Sequence, residues 1–106
     1  MAFQIGGSLL ETCVLALLRG EATYGYKLTQ EVREAIDVSE STLYPVLRRL
    51  QKEGCLETYD APYQGRNRRY YRITPYGEVR VCEQIKEWNV YKDKIDHVLI
   101  GGSKDE

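Results

Sequence analysis

The sequence lacks the features that mark membrane-spanning and secreted proteins. No apolar run approaches the roughly 18 residues of a membrane-spanning helix. Residues 1–5 also lack the basic segment and the cleavage site of a secretory signal. We therefore expect a cytoplasmic protein with no membrane partner.

Cysteine and histidine are too few and too scattered for a metal site. The cysteines, Cys13, Cys55 and Cys82, are odd in number, lie far apart and have apolar neighbours, and His97 is the single histidine. The cysteines are either small core side chains or a thiol redox sensor. The sequence also has no P-loop and no paired nucleophile and base. We expect no metal, no cofactor and no enzymatic activity.

What the chain does have is the composition of one globular domain with an uneven charge distribution. Its 106 residues are 42% hydrophobic and 29% charged. A domain of this size hides a limited fraction of its apolar surface, so burial across a dimer interface would stabilise it. Residues 41–73 carry seven Lys/Arg against three Asp/Glu, whereas residues 1–40 and 74–106 have net charges of −3 and −2. A basic segment between acidic ones is typical of a localised phosphate-binding surface.

The hydrophobic periodicity of the first half predicts three short helices. The first, around residues 9–18, is apolar over most of its circumference, so we expect it to be buried on two sides. The second covers residues 24–36. The third covers residues 40–53, with Ser39 as its N-cap and Gly54 as its stop.

The second half predicts a β-hairpin and one long helix. Residues 55–59 and 69–73 are rich in β-branched and aromatic side chains, and a polar, basic loop joins them. Thr74 as N-cap and Pro75 at the first helical position begin a helix that continues to about Ile100. Residues spaced alternately four and three positions apart form a heptad seam along this helix, apolar except for one lysine. The seam residues are Val81, Ile85, Trp88, Lys92, Ile95 and Leu99.

This order of elements predicts a mainly α (α+β) fold, a winged helix-turn-helix with a long C-terminal dimerisation helix. In such a fold the third helix enters the major groove of DNA, and the hairpin is the wing. We expect residues 1–74 to form the DNA-binding domain, residues 75–100 the dimerisation helix and residues 101–106 a flexible tail.

The third predicted helix carries no acidic residue on its outward face. At 100° per residue, this face centres on Ser41, Pro45, Arg48 and Lys52, with Thr42, Tyr44 and Arg49 beside them. Hydroxyl groups at the helix start and basic groups one and two turns later suit DNA bases and phosphates; a merely solvated face is the alternative. Pro45 lies inside this helix, where proline is unfavourable because it removes an intrahelical hydrogen bond. Residues that are locally unfavourable in this way are expected mainly at functional sites. The predicted DNA contacts here are Ser41, Thr42, Tyr44 and Arg48.

The hairpin adds four arginines within seven residues and no acid among them: Arg66, Arg68, Arg69 and Arg72. Gly65 at the tip permits a tight turn and close approach to a groove. Strand alternation sends the arginines to two faces, so they cannot all contact DNA at once. We predict Arg66 and Arg68, near the tip, as the contacts; a solubilising arginine-rich edge strand is the alternative.

Three stretches of the sequence resemble the signature segments of PadR-type transcriptional regulators, in the family's order and spacing. They are YGYKL at residues 24–28, STLYPVLRRLQKEG at residues 41–54 and RYYRITPYG at residues 69–77. The similarity covers roughly residues 9–100, and the middle stretch is far more specific than a generic helix-turn-helix. The resemblance implies a sequence-specific regulator of transcription that binds double-stranded operator DNA.

By the same resemblance, the contacts with the operator come from the second helix, the third helix and the wing: Tyr26, Ser41, Thr42, Tyr44, Gly65 and Arg66. A single helix after the wing resembles the short-tailed subfamily, in which the last helix pairs with the first helix of the other subunit. The apolar first helix and the heptad seam fit such a homodimer.

Trp88 is the single tryptophan and lies in the middle of the seam. Some short-tailed relatives bind flat aromatic compounds at the dimer interface, with a similarly placed tryptophan stacking on the ligand. The resemblance therefore implies that Trp88 contacts a planar aromatic effector; a plain interface anchor is the alternative. Lys92, one turn away, suits a wet cavity there, unless its side chain extends outward instead.

Two function hypotheses follow from these patterns. In the first, the protein is a repressor that occupies a palindromic operator as a twofold dimer until an aromatic effector changes the spacing of its recognition helices. In the second, it is a winged-helix protein-interaction module without an effector. Basic residues on both the third helix and the wing favour the first hypothesis. Affinity that falls steeply with salt would distinguish them, because counterions are released when phosphates are bound.

Overall fold

A computed structural model describes residues 7–101 of the chain. Its elements, in chain order, are α1 (Gly7–Leu18), β1 (Thr23–Tyr24), α2 (Gly25–Ala35), α3 (Glu40–Lys52), β2 (Leu56–Tyr63), β3 (Arg66–Ile73) and α4 (Pro75–Ile100). This order confirms the predicted winged helix-turn-helix with a long final helix. Of the predicted tail, residues 102–106 lie outside the described residues.

One apolar core lies where α1, α2, α3, β2 and the start of α4 meet. Its buried side chains are Leu10, Val14, Leu15, Leu18, Leu28, Val32, Leu43, Val46, Leu47, Leu50, Cys55, Leu56 and Val81. Cys55 is thus a core side chain, whereas Cys13 is half-buried and Cys82 is exposed. Burial raises the pKa of the Cys13 thiol.

Local capping signals fix the helix ends close to their predicted positions. The Ser39 hydroxyl accepts a hydrogen bond from the backbone N–H of Thr42 at 3.2 Å. The Thr74 hydroxyl accepts from the N–H of Gly77 at 3.0 Å and donates to the carbonyl oxygen of Gly54 at 2.6 Å. The cap of α4 is therefore tied to the end of α3. Gly54, at φ 82°, ends α3 in the left-handed conformation that glycine favours.

The three-stranded sheet has the order β1-β3-β2, and both pairings are antiparallel. The prediction of a loop over residues 60–67 was wrong, because β2 and β3 continue to the pair Tyr63–Arg66. Gln64 and Gly65 alone make the turn, with φ of 52° and 80°, as a two-residue type I′ hairpin turn requires. Pro62 is tolerated in β2 because β2 is an edge strand.

Two apolar surfaces remain uncovered in the single chain. The sequence predicted that α1 is buried on two sides, but Leu17 is 40% exposed and Cys13 is half-buried. The seam of α4 is buried only at its start: Val81 is buried and Ile85 half-buried, whereas the later seam positions from Trp88 to Leu99 are exposed. One chain therefore does not cover these surfaces by itself.

Candidate nucleic-acid interface

The outward face of α3 forms the centre of the candidate interface. Ser41, Thr42, Tyr44 and Arg48 are all exposed there, as predicted, while the opposite side of α3 packs into the core. The hydroxyl of Ser39 lies 2.9 Å from that of Ser41 and 3.0 Å from that of Thr42. These contacts hold the hydroxyl groups in place at the start of the helix.

Arg49 does not share the outward face of α3, although the helical projection placed it on the flank. Its guanidinium donates to the Glu11 carboxylate, from Nε at 2.7 Å and also from a terminal nitrogen. Glu11 lies on α1 and is only 6% exposed. Of the basic residues on α3, Arg49 therefore holds the helix against the core, and Arg48 remains directed to solvent.

Arg80 of α4 contacts the same carboxylate from the other side. One terminal nitrogen lies 3.4 Å from Glu11 Oε1, and the other donates to Glu53 at 2.6 Å and lies 3.1 Å from the Cys55 sulfur. The hydrogen bond with Glu53 is the main cause that raises the pKa of Arg80. We call Glu11, Arg49, Arg80 and Glu53 the Glu11 network; it joins α1, α3 and α4.

Tyr26 lies on the first turn of α2 and is 64% exposed. Its hydroxyl accepts a hydrogen bond from the Gln30 amide at 2.9 Å. A groove beside it separates the start of α2 from the wing, lined by Tyr24, Gly25, Tyr26, Arg68, Arg69 and Tyr71. The structure therefore brings Tyr26 close to the wing residue Arg68.

The hairpin register divides the four wing arginines into two kinds. Asp60 is directly opposite Arg69, and Glu57 is directly opposite Arg72. Both pairs form ion pairs, at 3.4 Å and 2.9 Å. Within residues 7–101, Arg66 and Arg68 have no carboxylate partner. The two arginines predicted as DNA contacts are thus the two that the hairpin leaves without an acid.

Sequence reasoning missed the aromatic side chains that line one face of the wing sheet. Arg68 lies over two tyrosine rings, with its guanidinium carbon 3.8 Å from the ring centroids of both Tyr24 and Tyr63. Tyr70 meets Tyr24 edge-on at 6.0 Å and stacks on Tyr59 at 5.4 Å. Side chains alternate between the two faces along each strand, and this alternation puts these residues on one face. The alternation would have predicted the aromatic face if the strand register had been known.

Trp88 lies on the part of α4 that projects beyond the core. It is 37% exposed, and its ring centroid is 6.4 Å from that of Tyr91. A shallow surface groove nearby is lined by Lys86, Glu87, Val90, Tyr91 and Lys94 and does not include Trp88. Lys92 is exposed. A single chain therefore does not enclose Trp88.

Neither a metal centre nor a membrane span is found in the part of the chain that the structure covers. No group of three or more His, Cys, Asp or Glu residues among residues 7–101 is placed to hold a metal ion. Within the same range, no helix combines the length and the apolar character that crossing a bilayer requires.

Comparison with known protein sequences points to one family. The sequence model of the Transcriptional regulator PadR-like family matches residues 14–83. An uncharacterised protein from Lysinibacillus sphaericus is 35% identical over 97 residues, which cover 87% of this chain and 89% of that protein. The transcriptional regulator Rv3488 of Mycobacterium tuberculosis is 44% identical over 61 residues, 57% of each chain.

Solved structures agree with the sequence comparison. The protein smu.1704 from Streptococcus mutans superposes with a TM-score of 0.88 at 38% identity over the whole of both chains. A PadR-like transcriptional regulator from Bacillus cereus has a TM-score of 0.80 at 30% identity, covering 91% of this chain and 94% of that one. The chain therefore belongs to the PadR-like family of transcriptional regulators, and it is a DNA-binding regulator rather than an enzyme.

Proposed function

We propose that this regulator is a cytoplasmic, homodimeric repressor that binds a palindromic operator and is released by a planar aromatic effector at the dimer interface. One observation carries the DNA-binding part of the proposal. Among residues 7–101, the basic side chains on the outward face of α3 and near the wing tip have no acidic partner, whereas their neighbours Arg49, Arg69 and Arg72 are ion-paired. Unpaired cations on one surface suit phosphates.

Each element of this surface has its own role in the proposal. On α3, Ser41, Thr42 and Tyr44 contact bases and nearby phosphates, and Arg48 contacts the backbone or a guanine edge. Tyr26 contacts the backbone from α2. Gly65 and Arg66 at the wing tip enter a groove, because Gly65, in the positive-φ position of the type I′ turn, has no side chain to block close approach. Arg68 contacts the backbone from the wing.

The proposed dimer covers the two apolar surfaces that one chain leaves exposed. The uncovered side of α1 includes Leu17, and the exposed seam of α4 includes Trp88, Ile95 and Leu99. Exposed apolar patches of this kind mark interaction sites in soluble proteins. We propose that residues 75–100 form the dimerisation helix, packed on α1 of the partner. The two copies of α3 would then lie about one helical turn of DNA apart.

The effector site in the proposal is centred on Trp88. The indole is partly exposed on the seam, so a second copy of the chain would bring two such rings to the same interface. A flat aromatic compound would stack on them, with a gain on the order of 1 kcal/mol beyond burial. Lys92, on the same side one turn away, would keep this space accessible to water.

The test uses the intrinsic fluorescence of Trp88, which reports on one position because the chain has one tryptophan. Planar aromatic compounds are titrated into the protein with and without a labelled duplex from upstream of its own gene. Quenching that accompanies release of the duplex supports the effector-controlled repressor. If the duplex binds tightly but no compound quenches the Trp88 fluorescence or weakens DNA binding, the protein is a DNA-binding regulator in which Trp88 only anchors the interface.

A further inference from the structure

Two tyrosine rings lie against the Arg68 guanidinium. Its central carbon lies 3.8 Å from the ring centroid of Tyr24, in β1, and 3.8 Å from that of Tyr63, at the end of β2. Arg68 is half-buried as a result. Cations over aromatic faces are held by the ring quadrupole, and arginine is the cation most often found there. The side chain is thus fixed at two points that lie on different elements.

The N–H edge of Arg68 has no acceptor in the part of the chain that the structure describes. A guanidinium carries five N–H donors in one plane, and contact with aromatic rings leaves these donors available for a hydrogen bond. Arg69 and Arg72 differ from Arg68, because each of them donates to a carboxylate across the hairpin. Within the described range, Arg68 is therefore a positioned cation without a carboxylate partner.

Arg68 also lines the groove that separates the wing from the start of α2. The groove includes Tyr26, an exposed side chain that is itself proposed to contact DNA. Arg66 lies nearer the wing tip, two residues closer to the turn. A duplex seated on α3 with the wing tip in a groove would pass its backbone, rather than its base edges, across Arg68. A phosphate oxygen accepts from the guanidinium edge with well-matched geometry.

We propose that Tyr24 and Tyr63 are positioning residues, which hold Arg68 ready to donate to one phosphate of the operator backbone. The proposal rests on the proposed function, since it assumes that α3 and the wing bind duplex DNA. Fixing the side chain before binding reduces the rotamer entropy that is lost when the contact forms. Neither ring needs to contact DNA itself. Each acts through Arg68.

The test compares single and double variants on a duplex that the unmodified protein selects from a randomised pool. Arg68→Gln is expected to weaken binding about 10-fold and to make the negative slope of log K against log salt shallower by about 1, the signature of one lost phosphate contact. Tyr63→Leu is expected to weaken binding several-fold, and Tyr63→Phe to restore it because the ring remains. In the Arg68→Gln background, Tyr63→Leu should have no further effect.

Two matched controls separate this role from a general weakening of the protein. Arg72→Gln removes an arginine that also lies over a ring, 4.8 Å from the Tyr59 centroid, but that is paired with Glu57. Tyr76→Leu removes an exposed tyrosine at the start of α4. Both should leave affinity and salt slope unchanged. Additive losses from Tyr63→Leu and Arg68→Gln, or an unchanged slope in Arg68→Gln, would overturn the proposal.

A measurement without DNA distinguishes failure of this proposal from failure of the proposed function. In the free protein, the Nε–H resonance of Arg68 should be displaced by the two ring currents. It should move part of the way toward an ordinary arginine position in Tyr63→Leu, where the Tyr24 ring remains, and stay fully displaced in Tyr63→Phe. An ordinary resonance in the unmodified protein overturns the positioning role alone. Failure of the unmodified protein to select or bind any duplex, with the resonance displaced, overturns the proposed function and the phosphate contact together.

Discussion

At the scale of single residues, the partners of each arginine determine what it is free to do. Arg49 is held by a buried carboxylate, and Arg69 and Arg72 face acids across the hairpin. Arg48 is exposed on the outward face of α3 with no ion pair among residues 7–101. A count of basic residues in the sequence cannot make this distinction, because it depends on strand register and helix packing.

Replacing Arg48 tests this distinction on the recognition helix. Arg48→Ala is expected to weaken operator binding about 10-fold, since a contact of this kind is worth about 1–3 kcal/mol. The measurement is a fluorescence-anisotropy titration of labelled duplex. Arg33→Ala is the control, because Arg33 is also an exposed arginine but lies near the end of α2, 3.7 Å from Glu40. Equal losses in both variants would contradict the assignment.

Gly77 shows how one missing side chain determines the position of α4. A Cβ at this buried position would overlap the backbone oxygen of Cys55 and the side chain of Ile73. Gly77→Ala is therefore expected to lower the free energy of unfolding by about 2 kcal/mol, as overpacking of a core commonly does. Urea unfolding followed by circular dichroism measures this change. Gly20→Ala is the control, since nothing lies within 4 Å of its added Cβ, and a similar loss there would contradict the account.

At the scale of elements, the Glu11 network connects α3, the helix proposed to read DNA, with α1 and α4, which carry the exposed apolar surfaces. Glu11 lies on α1, Arg49 on α3 and Arg80 on α4. The carboxylate is nearly buried, whereas Arg49 and Arg80 are partly exposed. Buried charges are tolerated when they are paired and hydrogen-bonded, so the network fixes how the three helices pack.

Removing Glu11 leaves Arg49 and Arg80 without their shared carboxylate. Glu11→Ala is expected to lower the free energy of unfolding on the order of 2 kcal/mol, less than a fully buried pair would cost, because water still reaches both arginines. Glu57→Ala, which removes the acid of a half-exposed pair with Arg72, should cost less than about 1 kcal/mol. Urea unfolding of both variants checks the difference. Equal losses would show that the network contributes no more than a surface ion pair.

The helices could be predicted from the sequence because their ends depend on local signals. Ser39, Gly54, Thr74 and Pro75 act within a few residues of where they lie. The two residues of β1 were not predicted, because a strand that short has no periodicity and exists through its pairing with β3. The strand ends at the wing were misplaced because polar residues continue the pairing up to the type I′ turn.

The candidate site was only partly predictable for the same reason. The outward residues of α3 follow from helical spacing alone, and the structure places them as expected. The two rings around Arg68 could not be predicted, because Tyr24 lies 44 positions earlier in the chain and meets Arg68 only after β1 pairs with β3. Contacts between distant elements depend on the completed fold.

At the scale of the whole molecule, a compact winged helix-turn-helix carries a helix that extends beyond it. The 26 residues of α4 correspond to about 39 Å of helix, and the chain measures 63 Å along its longest axis. The projecting part of α4 exposes Trp88, Ile95 and Leu99 and lacks a core of its own. In the proposed dimer a second copy of the chain supplies the missing cover, and both halves of an operator are bound only by that dimer.

A charge on the seam tests this dependence. Ile95→Glu is expected to shift the protein from dimer to monomer, because it buries a carboxylate in the proposed interface. The operator affinity should fall with it, since each monomer contacts one half-site. Sedimentation velocity and DNA titration measure the two effects. Lys86→Glu, on the opposite side of α4 at 100° per residue, should change neither, and a dimer that persists in Ile95→Glu would contradict the proposed interface.

The most direct test of the account as a whole is the salt dependence of DNA binding by the unmodified protein. Binding of a selected duplex and of a scrambled duplex of the same length is measured by anisotropy over a series of salt concentrations. We expect log K to fall linearly with log salt for both duplexes, with the selected duplex bound about 1,000-fold more tightly or better. Affinity that does not change with salt, or that is equal for the two duplexes, would contradict the claim that α3 and the wing form an operator-reading surface.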